Sequence, residues 1–367
     1  MRFPTAARRN ELGILARAGT HRYSTRLTGA LSSARRSTSV RRVPSTADLH
    51  KSLVRAAAEE LGVEVRPLPG DFLELRYGDR RSLVEGSHFE LERLIPWLAC
   101  GDKQLTSTIL SEQGLPVPRY GSFSASRYAE ALERFREAQK PVVVKPTRGT
   151  SAGLGVTLNV FAEDELRSAF ARARAHSSEV MIEEQIDGEN LRVTVLHEEV
   201  LGAVRRIPAH VVGDGTASVK ALVSAKNRRW EAGAPDNRLF RPIALDGESR
   251  RVLALQRLDF DSVPPAGARV KLREISNAHE GSEVEDVESS VHEDYLALST
   301  AAGRAMGAAL VGVDLIVRDL RAPAGQDGVV INEVNTTPAL YLVNAMADGA
   351  PSIRATERVL RSLFDIP

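Results

Sequence analysis

Four polar side chains set in apolar surroundings carry the first chemical signal of this sequence. Asp314 interrupts the run Gly312-Val313-Asp314-Leu315-Ile316-Val317, Glu333 ends Val329-Val330-Ile331-Asn332-Glu333, and Asn335 follows two residues on. A carboxylate inside an apolar strand is expensive to bury unless a cation or hydrogen-bond donors meet it. If the two strands pair in antiparallel fashion, two carboxylates and an amide oxygen converge, a set of oxygen donors suited to Mg²⁺ bridged by phosphates. A pair of acids satisfied at strand ends is the other reading. The fourth side chain is Lys145, which Val142-Val143-Val144 delivers into a loop running from Pro146 through Gly149, Ser151, Ala152 and Gly153 to Gly155 and a second strand. A lysine at a strand end offers a point charge to a phosphate, and glycines let backbone N–H groups approach phosphate oxygens. This hairpin is not a Walker A loop, whose Gly-x4-Gly-Lys-Ser/Thr string is absent. An ordinary glycine-rich hairpin remains the alternative.

The elements that must position these groups follow from periodicity. Leu49, Leu53, Val54, Ala57 and Leu61 fall at helical spacing before Gly62, and strands are predicted over 63–65, 72–77 and 82–84. Asp102 stands as an N-cap for a helix that stops at Gly114, and helices are expected over 125–138 and 162–175. A strand over 180–184 leads to a hairpin of 191–196 with 200–206, then a turn at 211–215 and a short helix over 218–227. Between Trp230 and Glu293 the periodicity is weak, with Pro235, Pro242, Pro264 and Pro265 interspersed among charges, so an irregular, partly mobile covering segment is expected. A small-residue helix from Tyr295, apolar strands over 309–317 and 329–333, and helices over 339–346 and 352–364 complete the chain.

Composition bounds the class. The 367 residues are 43% hydrophobic and contain no apolar run long enough to span a bilayer, so a soluble, cytoplasmic protein of two or three domains is expected. Cys100 is the only cysteine; it reads as a packed small residue and excludes an intrachain disulfide or cysteine zinc site. The net charge of +1 conceals a split: residues 1–44 hold ten arginines against the single acid Glu11, and the remainder has 39 basic and 47 acidic residues. That acidic body argues against a nucleic-acid or membrane partner. The basic segment 1–44 reads as a disordered leader, with an organellar transit peptide as the alternative.

Further strings extend the signal: Gly101-Asp102-Lys103, Pro116-Val117-Pro118, Glu183-Glu184-Gln185-Ile186-Asp187-Gly188, and Asn332-Glu333-Val334-Asn335. With Val144-Lys145-Pro146 and Gly312-Val313-Asp314, their order resembles the ATP-grasp ligase superfamily over roughly residues 95 to 365. Arg205 to Gly215, Leu272 to Asn277 and Val291-His292 are similar to segments shared by the ATP-grasp modules of bifunctional glutathione synthetase and cyanophycin synthetase.

The resemblance implies an α/β (α+β) chain with the ATP-grasp fold. A basic leader (1–44) would precede an N-terminal α/β domain (45–115), a small subdomain with the glycine-rich loop (116–200), and a C-terminal subdomain with the metal site and covering loop (201–367). Lys103 and Lys145 would hold phosphates of ATP, with Ser151, Ala152 and Gly153 over the γ-phosphate. Glu183, Glu184 and Ile186 would form the adenine pocket, and Asn190 stands where many relatives carry an acid for the ribose hydroxyls. Asp314, Glu333 and Asn335 would bind two Mg²⁺ ions, or Mn²⁺. Arg192, Arg205, Arg206 and Arg273 would stabilise an acyl phosphate or grip substrate carboxylates. Asn277, His279 and His210 are further candidates for substrate contact, His279 lying where the sequence departs from its relatives.

The implied reaction joins two amino acids through an acyl phosphate, with release of ADP and phosphate. The partners would be small amino-acid substrates, and a homodimer accords with the relatives. Extension of a γ-glutamyl dipeptide is the alternative within the class. A phosphotransferase making a stable phosphorylated product is the rival outside it.

Overall fold

The computed structural model describes residues 45–139, 141–150, 153–231, 242–276, 280–325, 328–344 and 352–367. Helix α1 (Thr46–Leu61) begins at Ser45, whose side chain accepts from the Asp48 backbone while Asp48 reaches back to the Ser45 N–H; it ends at Gly62 in the left-handed region. The meander β1 (Glu64–Pro67), β2 (Phe72–Tyr77), β3 (Arg80–Glu85) and β4 (His88–Phe89) forms an antiparallel sheet. Glu74, in the middle of β2, is fully covered, and its carboxylate accepts hydrogen bonds from the guanidinium groups of Arg66, Arg76 and Arg81. Arg66 first, then the other guanidinium groups, hold its carboxyl down at about 2.

Helices α2 (Leu94–Cys100) and α3 (Lys103–Glu112) follow. A second antiparallel sheet has the order β5-β8-β6-β7, built from β5 (Tyr120–Ser124), β6 (Val142–Pro146), β7 (Thr157–Val160) and β8 (Glu179–Glu184). Helices α4 (Tyr128–Glu137) and α5 (Glu163–Arg174) cover one of its faces, packing Ala131, Phe135, Leu166 and Phe170 on Val142, Val144, Val180 and Ile182.

The third sheet, in the order β13-β10-β9-β14-β15, comprises β9 (Glu189–Leu196), β10 (Glu199–Ile207), β13 (Glu283–Asp286), β14 (Leu310–Val317) and β15 (Val329–Asn335). Val193, Val195, Val311, Val313 and Leu315 pack on α2, α3 and α8 (Glu293–Met306). Residue 200, the expected subdomain limit, falls within the β9–β10 hairpin. Likewise α2 and α3, expected within the N-terminal domain, contribute Ala99, Cys100 and Leu110 to this core. Helix α10 (Arg354–Phe364), preceded by the short α9 (Tyr341–Asn344), closes onto α1 through Val359, Leu360 and Phe364.

The stretch expected to be irregular carries regular elements within its described residues. It contains α7 (Gly247–Leu255), β12 (Arg269–Lys271) and β13; with β11 (His210–Val212) and α6 (Val219–Glu231), α7 and β12 enclose a separate apolar core around Val211, Val223, Leu253 and Leu272. These elements are short, three to nine residues for α7, β12 and β13, so no window along the chain is long enough for a period to emerge. Residues 232–241 and 277–279 lie outside the described residues.

His50 in α1 supplies a prediction. It is buried edge-on against Tyr341, and burial, aided by the nearby His88, pulls its imidazole down from 6.5 to about 4. The unfolded chain takes up this proton below about pH 6.5, whereas the folded chain does so only near 4. Stability therefore falls as pH drops through that window, by up to about 3 kcal/mol from this group. Denaturant titrations at pH 7.5 and 5 should show the loss, and His50→Gln should flatten that part of the slope.

Candidate active site

Strand alternation gives the β5-β8-β6-β7 sheet and the five-stranded sheet each a second face, and both open on one cavity of about 770 Å³. In β6 and β8, Val142, Val144, Val180 and Ile182 face α4 and α5, so Val143, Lys145 and Glu183 face the cavity. The register sets Val143 opposite Glu183 and Lys145 opposite Met181, making Lys145 and Glu183 diagonal neighbours. Their ion pair, Nζ to Oε1, is 2.7 Å long and buried.

The third sheet presents a row of charge. Asp314 on β14 is directly opposite Arg192 on β9 and Glu333 on β15. Arg192 donates to both Asp314 oxygens, from Nε at 2.7 Å and from a terminal nitrogen at 2.5 Å, and Arg206 adds contacts of 3.2 Å. Burial opposes ionisation of Asp314, yet the two guanidinium groups hold its carboxyl below the ordinary range. The two arginines respond differently. Burial acts against both, but the bidentate grip on Asp314 raises Arg192, whereas Arg206, with longer contacts and Arg192 as a neighbour, is lowered.

Glu333 faces the cavity because of a bulge. Leu315 is opposite Ile331 while Asp314 is opposite Glu333, so Asn332 is an extra residue in β15. Were the same sequence to run as a strand without a bulge, Ile331 and Glu333, two residues apart, would share a face, and Ile331 belongs to the core. The inserted residue turns the strand's phase so that Glu333 and Asn335 reach the cavity while Val334 returns to the core.

Lys103 enters from a third direction. Asp102 caps α3 by accepting from the N–H groups of Gln104 at 3.0 Å and Leu105 at 3.2 Å, and its other oxygen accepts from Arg148 Nε at 2.7 Å. The Lys103 N–H donates to Thr147 O at 2.9 Å, tying the helix start to the exit of β6. Lys103 Nζ then reaches Glu333 Oε1 at 2.8 Å. Gly153 in the loop has φ +79°, a left-handed conformation that favours glycine.

Of the residues expected from sequence, Lys103, Lys145, Gly153, Glu183, Glu184, Ile186, Asn190, Arg192, Arg205, Arg206, Asp314, Glu333 and Asn335 all line this cavity. Ser151, Ala152, Asn277 and His279 lie outside the described residues. Two expectations need correction. Arg273 is buried away from the cavity lining; it donates to Ser249 Oγ at 2.5 Å and Asp246 at 2.7 Å, fastening the start of α7. His210 is also buried, with Nδ1 3.0 Å from Pro208 O, and does not line the cavity. Arg205 lines it but is held by Glu189 at 2.5 Å and Glu285 at 3.0 Å. Burial pushes the Cys100 thiol up to about 12, in keeping with a packed residue.

Arg269, Lys271 and Tyr341, not expected from sequence, also line the cavity, as does Ser282 at the end of the stretch that departs from the relatives. The alternation Arg269-Val270-Lys271 was the available signal for the first two.

Among the described residues, no group of three or more His, Cys, Asp and Glu side chains is disposed to hold a metal ion. Asp314 and Glu333 provide two carboxylates side by side, and Asn335 lies in the same lining with its buried Nδ2 lacking a partner among the described residues. An oxygen-only set of this kind fits a hard divalent cation that draws its remaining ligands from phosphate or water.

Comparison with known proteins agrees with this geometry. Residues 109–217 match the family model described as D-ala D-ala ligase C-terminus. The glutathione biosynthesis bifunctional protein of Pasteurella multocida (strain Pm70) is 34% identical over 301 residues, covering 80% of this chain and 39% of that protein. Cyanophycin synthetase of Trichormus variabilis (strain ATCC 29413 / PCC 7937) is 29% identical over 299 residues, covering 80% of this chain and 32% of that one. The crystal structure of a bifunctional glutathione synthetase from Pasteurella multocida superimposes with a TM-score of 0.59 at 30% identity, over 85% of this chain and 44% of that one. The chain thus spans between about a third and two fifths of the length of these curated relatives.

The buried cluster has a measurable consequence. Asp314→Ala leaves Arg192 and Arg206 without their shared partner, and removing one member of a buried ion pair typically costs about 3–5 kcal/mol. A fall of that size in unfolding free energy is expected in urea titrations at pH 7.5, where Asp314→Asn, which keeps an acceptor oxygen, should lose less.

Proposed function

We propose, from the premise that this chain is an ATP-grasp protein related to the bifunctional glutathione synthetases and cyanophycin synthetase, that it is an ATP-dependent carboxylate–amine ligase. The observation that carries the reading is the convergence of Lys103 and Lys145 with Asp314, Glu333 and Asn335 on one cavity, from three separate parts of the fold. Those are the groups a nucleoside triphosphate and its divalent ion need.

In this reading the cations of the site are already matched to its acids: Lys145 to Glu183, Lys103 to Glu333, and Arg192 with Arg206 to Asp314. Binding a polyphosphate would exchange these partners, Lys103 turning from a carboxylate to a phosphate oxygen. Asp314, Glu333 and Asn335 would hold Mg²⁺, which when bound neutralises charge on the phosphates. Glu183, Glu184 and Ile186 would flank the base, and Asn190 the ribose.

The carboxylate oxygen of one substrate attacks the γ-phosphorus, the bond to the β-bridging oxygen breaks, and ADP leaves. The amine nitrogen of the second substrate attacks the acyl carbon, the bond to phosphate breaks, and the nitrogen gives up a proton. Arg192 and Arg206 would face the charge that develops at the acyl phosphate. The product would be a dipeptide or a γ-glutamyl amide. Extension of a γ-glutamyl dipeptide is the variant nearest to glutathione biosynthesis, for which the Pasteurella multocida relative is named.

Incubation with ATP, Mg²⁺ and amino acids, singly and in pairs, should release ADP and phosphate only when a carboxylate substrate and an amine are both present. Release of AMP and pyrophosphate would overturn the acyl-phosphate route, and a stable phosphorylated product without amine would favour a phosphotransferase. Glu333→Gln should lower turnover roughly 100-fold or more while leaving the unfolding midpoint near that of the wild type.

A further inference from the structure

We infer that the cavity contains a second anion-binding subsite, built from Arg269, Lys271 and Ser282, that grips a carboxylate of the substrate remote from the one being activated. The inference rests on the ligase reading for the identity of the reaction, but the subsite itself is argued from charge and geometry.

The other cations discussed in the cavity lining face acids: Lys103, Lys145, Arg192 and Arg206 as described above, and Arg205 through Glu189 and Glu285. Arg269 and Lys271 also line it, yet neither has an ion-pair partner among the described residues. They occupy alternate positions of β12, so both project from one face while Val270 packs with Val211 on the other. Alternate residues of a strand lie about 6.6 Å apart, a span that lets two cations converge on one carboxylate or serve a pair of them.

Two independent observations indicate a ligand here. Ser282 lines the cavity at 2% exposure, and its hydroxyl has no hydrogen-bond partner among the described residues. A buried hydroxyl left without a partner is costly, and a bound carboxylate would satisfy it. The surroundings are also electropositive. His210, opposite Lys271, lies near Lys226 and Arg269 as well as the acid Glu283, at 3.8 Å. Burial first, then Lys226, depress the His210 imidazole. Lys226 donates to His210 O at 2.6 Å and pairs with Glu283, which leaves Arg269 and Lys271 uncompensated. The substrate class is therefore an amino acid or short peptide carrying a free carboxylate beyond the reacting one.

The test measures binding by calorimetry in the presence of a non-hydrolysable ATP analogue and Mg²⁺. The probes are a γ-glutamyl dipeptide and alanyl-glutamate, each compared with the amide of its remote carboxylate, the glutamyl α-carboxylate or the glutamate side chain, while the C-terminal carboxylate stays free in all four. At least one acid should bind tenfold or more tightly than its amide. Arg269→Ala with Lys271→Ala should abolish that preference without changing affinity for the nucleotide analogue, and Arg269→Lys should retain most of it. Acids that bind no better than their amides, or a preference that survives the double substitution, would overturn the subsite. Acid preference without ADP formation in any pairing supports the subsite and removes the ligase reading; ADP formation without acid preference does the reverse.

Discussion

The pairing of Arg192 with Asp314 is the constraint on which the remainder of the site depends. The two residues are opposite each other on central strands of a five-stranded sheet, and neither could be buried alone. Their mutual neutralisation allows a charged row to cross a sheet whose other face is Val193, Val313 and Leu315. Arg206 is drawn toward the same carboxylate from β10, and Glu333 is set beside it from β15, so one ion pair organises four strands.

Segregation by strand face is the second organising fact. On β6, Val142 and Val144 belong to a core with α4 and α5, while Val143 and Lys145 belong to the cavity. The same division recurs on β14, where Val313 and Leu315 pack and Asp314 and Ile316 line the site. Apolar burial on one face supplies the rigidity that chemistry on the other requires, since packed side chains hold the backbone to a fraction of an ångström.

Much of this was legible in the sequence for identifiable reasons. Asp314 and Glu333 stand out because a charge in an apolar strand has to be explained, and antiparallel pairing does bring them together. Asp102 as an N-cap is a local pattern, and the structure satisfies it locally. Arg273 could not be placed, because its partners Asp246 and Ser249 are more than twenty residues away in a region without periodicity. His210 misled for a related reason: its segment is at the site while its own imidazole turns inward. Arg269 and Lys271 were overlooked because three residues are too few for alternation to stand out against a charged background. ATP-grasp membership was recoverable from the order of short motifs; which sheet face each motif occupies was not.

The single extra residue in β15 carries a consequence for how this protein can diversify. On both sides of Asn332 the strand alternates between core, at Ile331 and Val334, and cavity, at Glu333 and Asn335. Loss of Asn332 would leave Ile331 opposite Leu315 and Glu333 opposite Asp314, so each face would keep its residues and only the side chain that Asn332 adds to the cavity would go. A change of length at the bulge is therefore gentler on this strand than a change of letter at Ile331 or Glu333, where core and ligand chemistry each depend on one side chain.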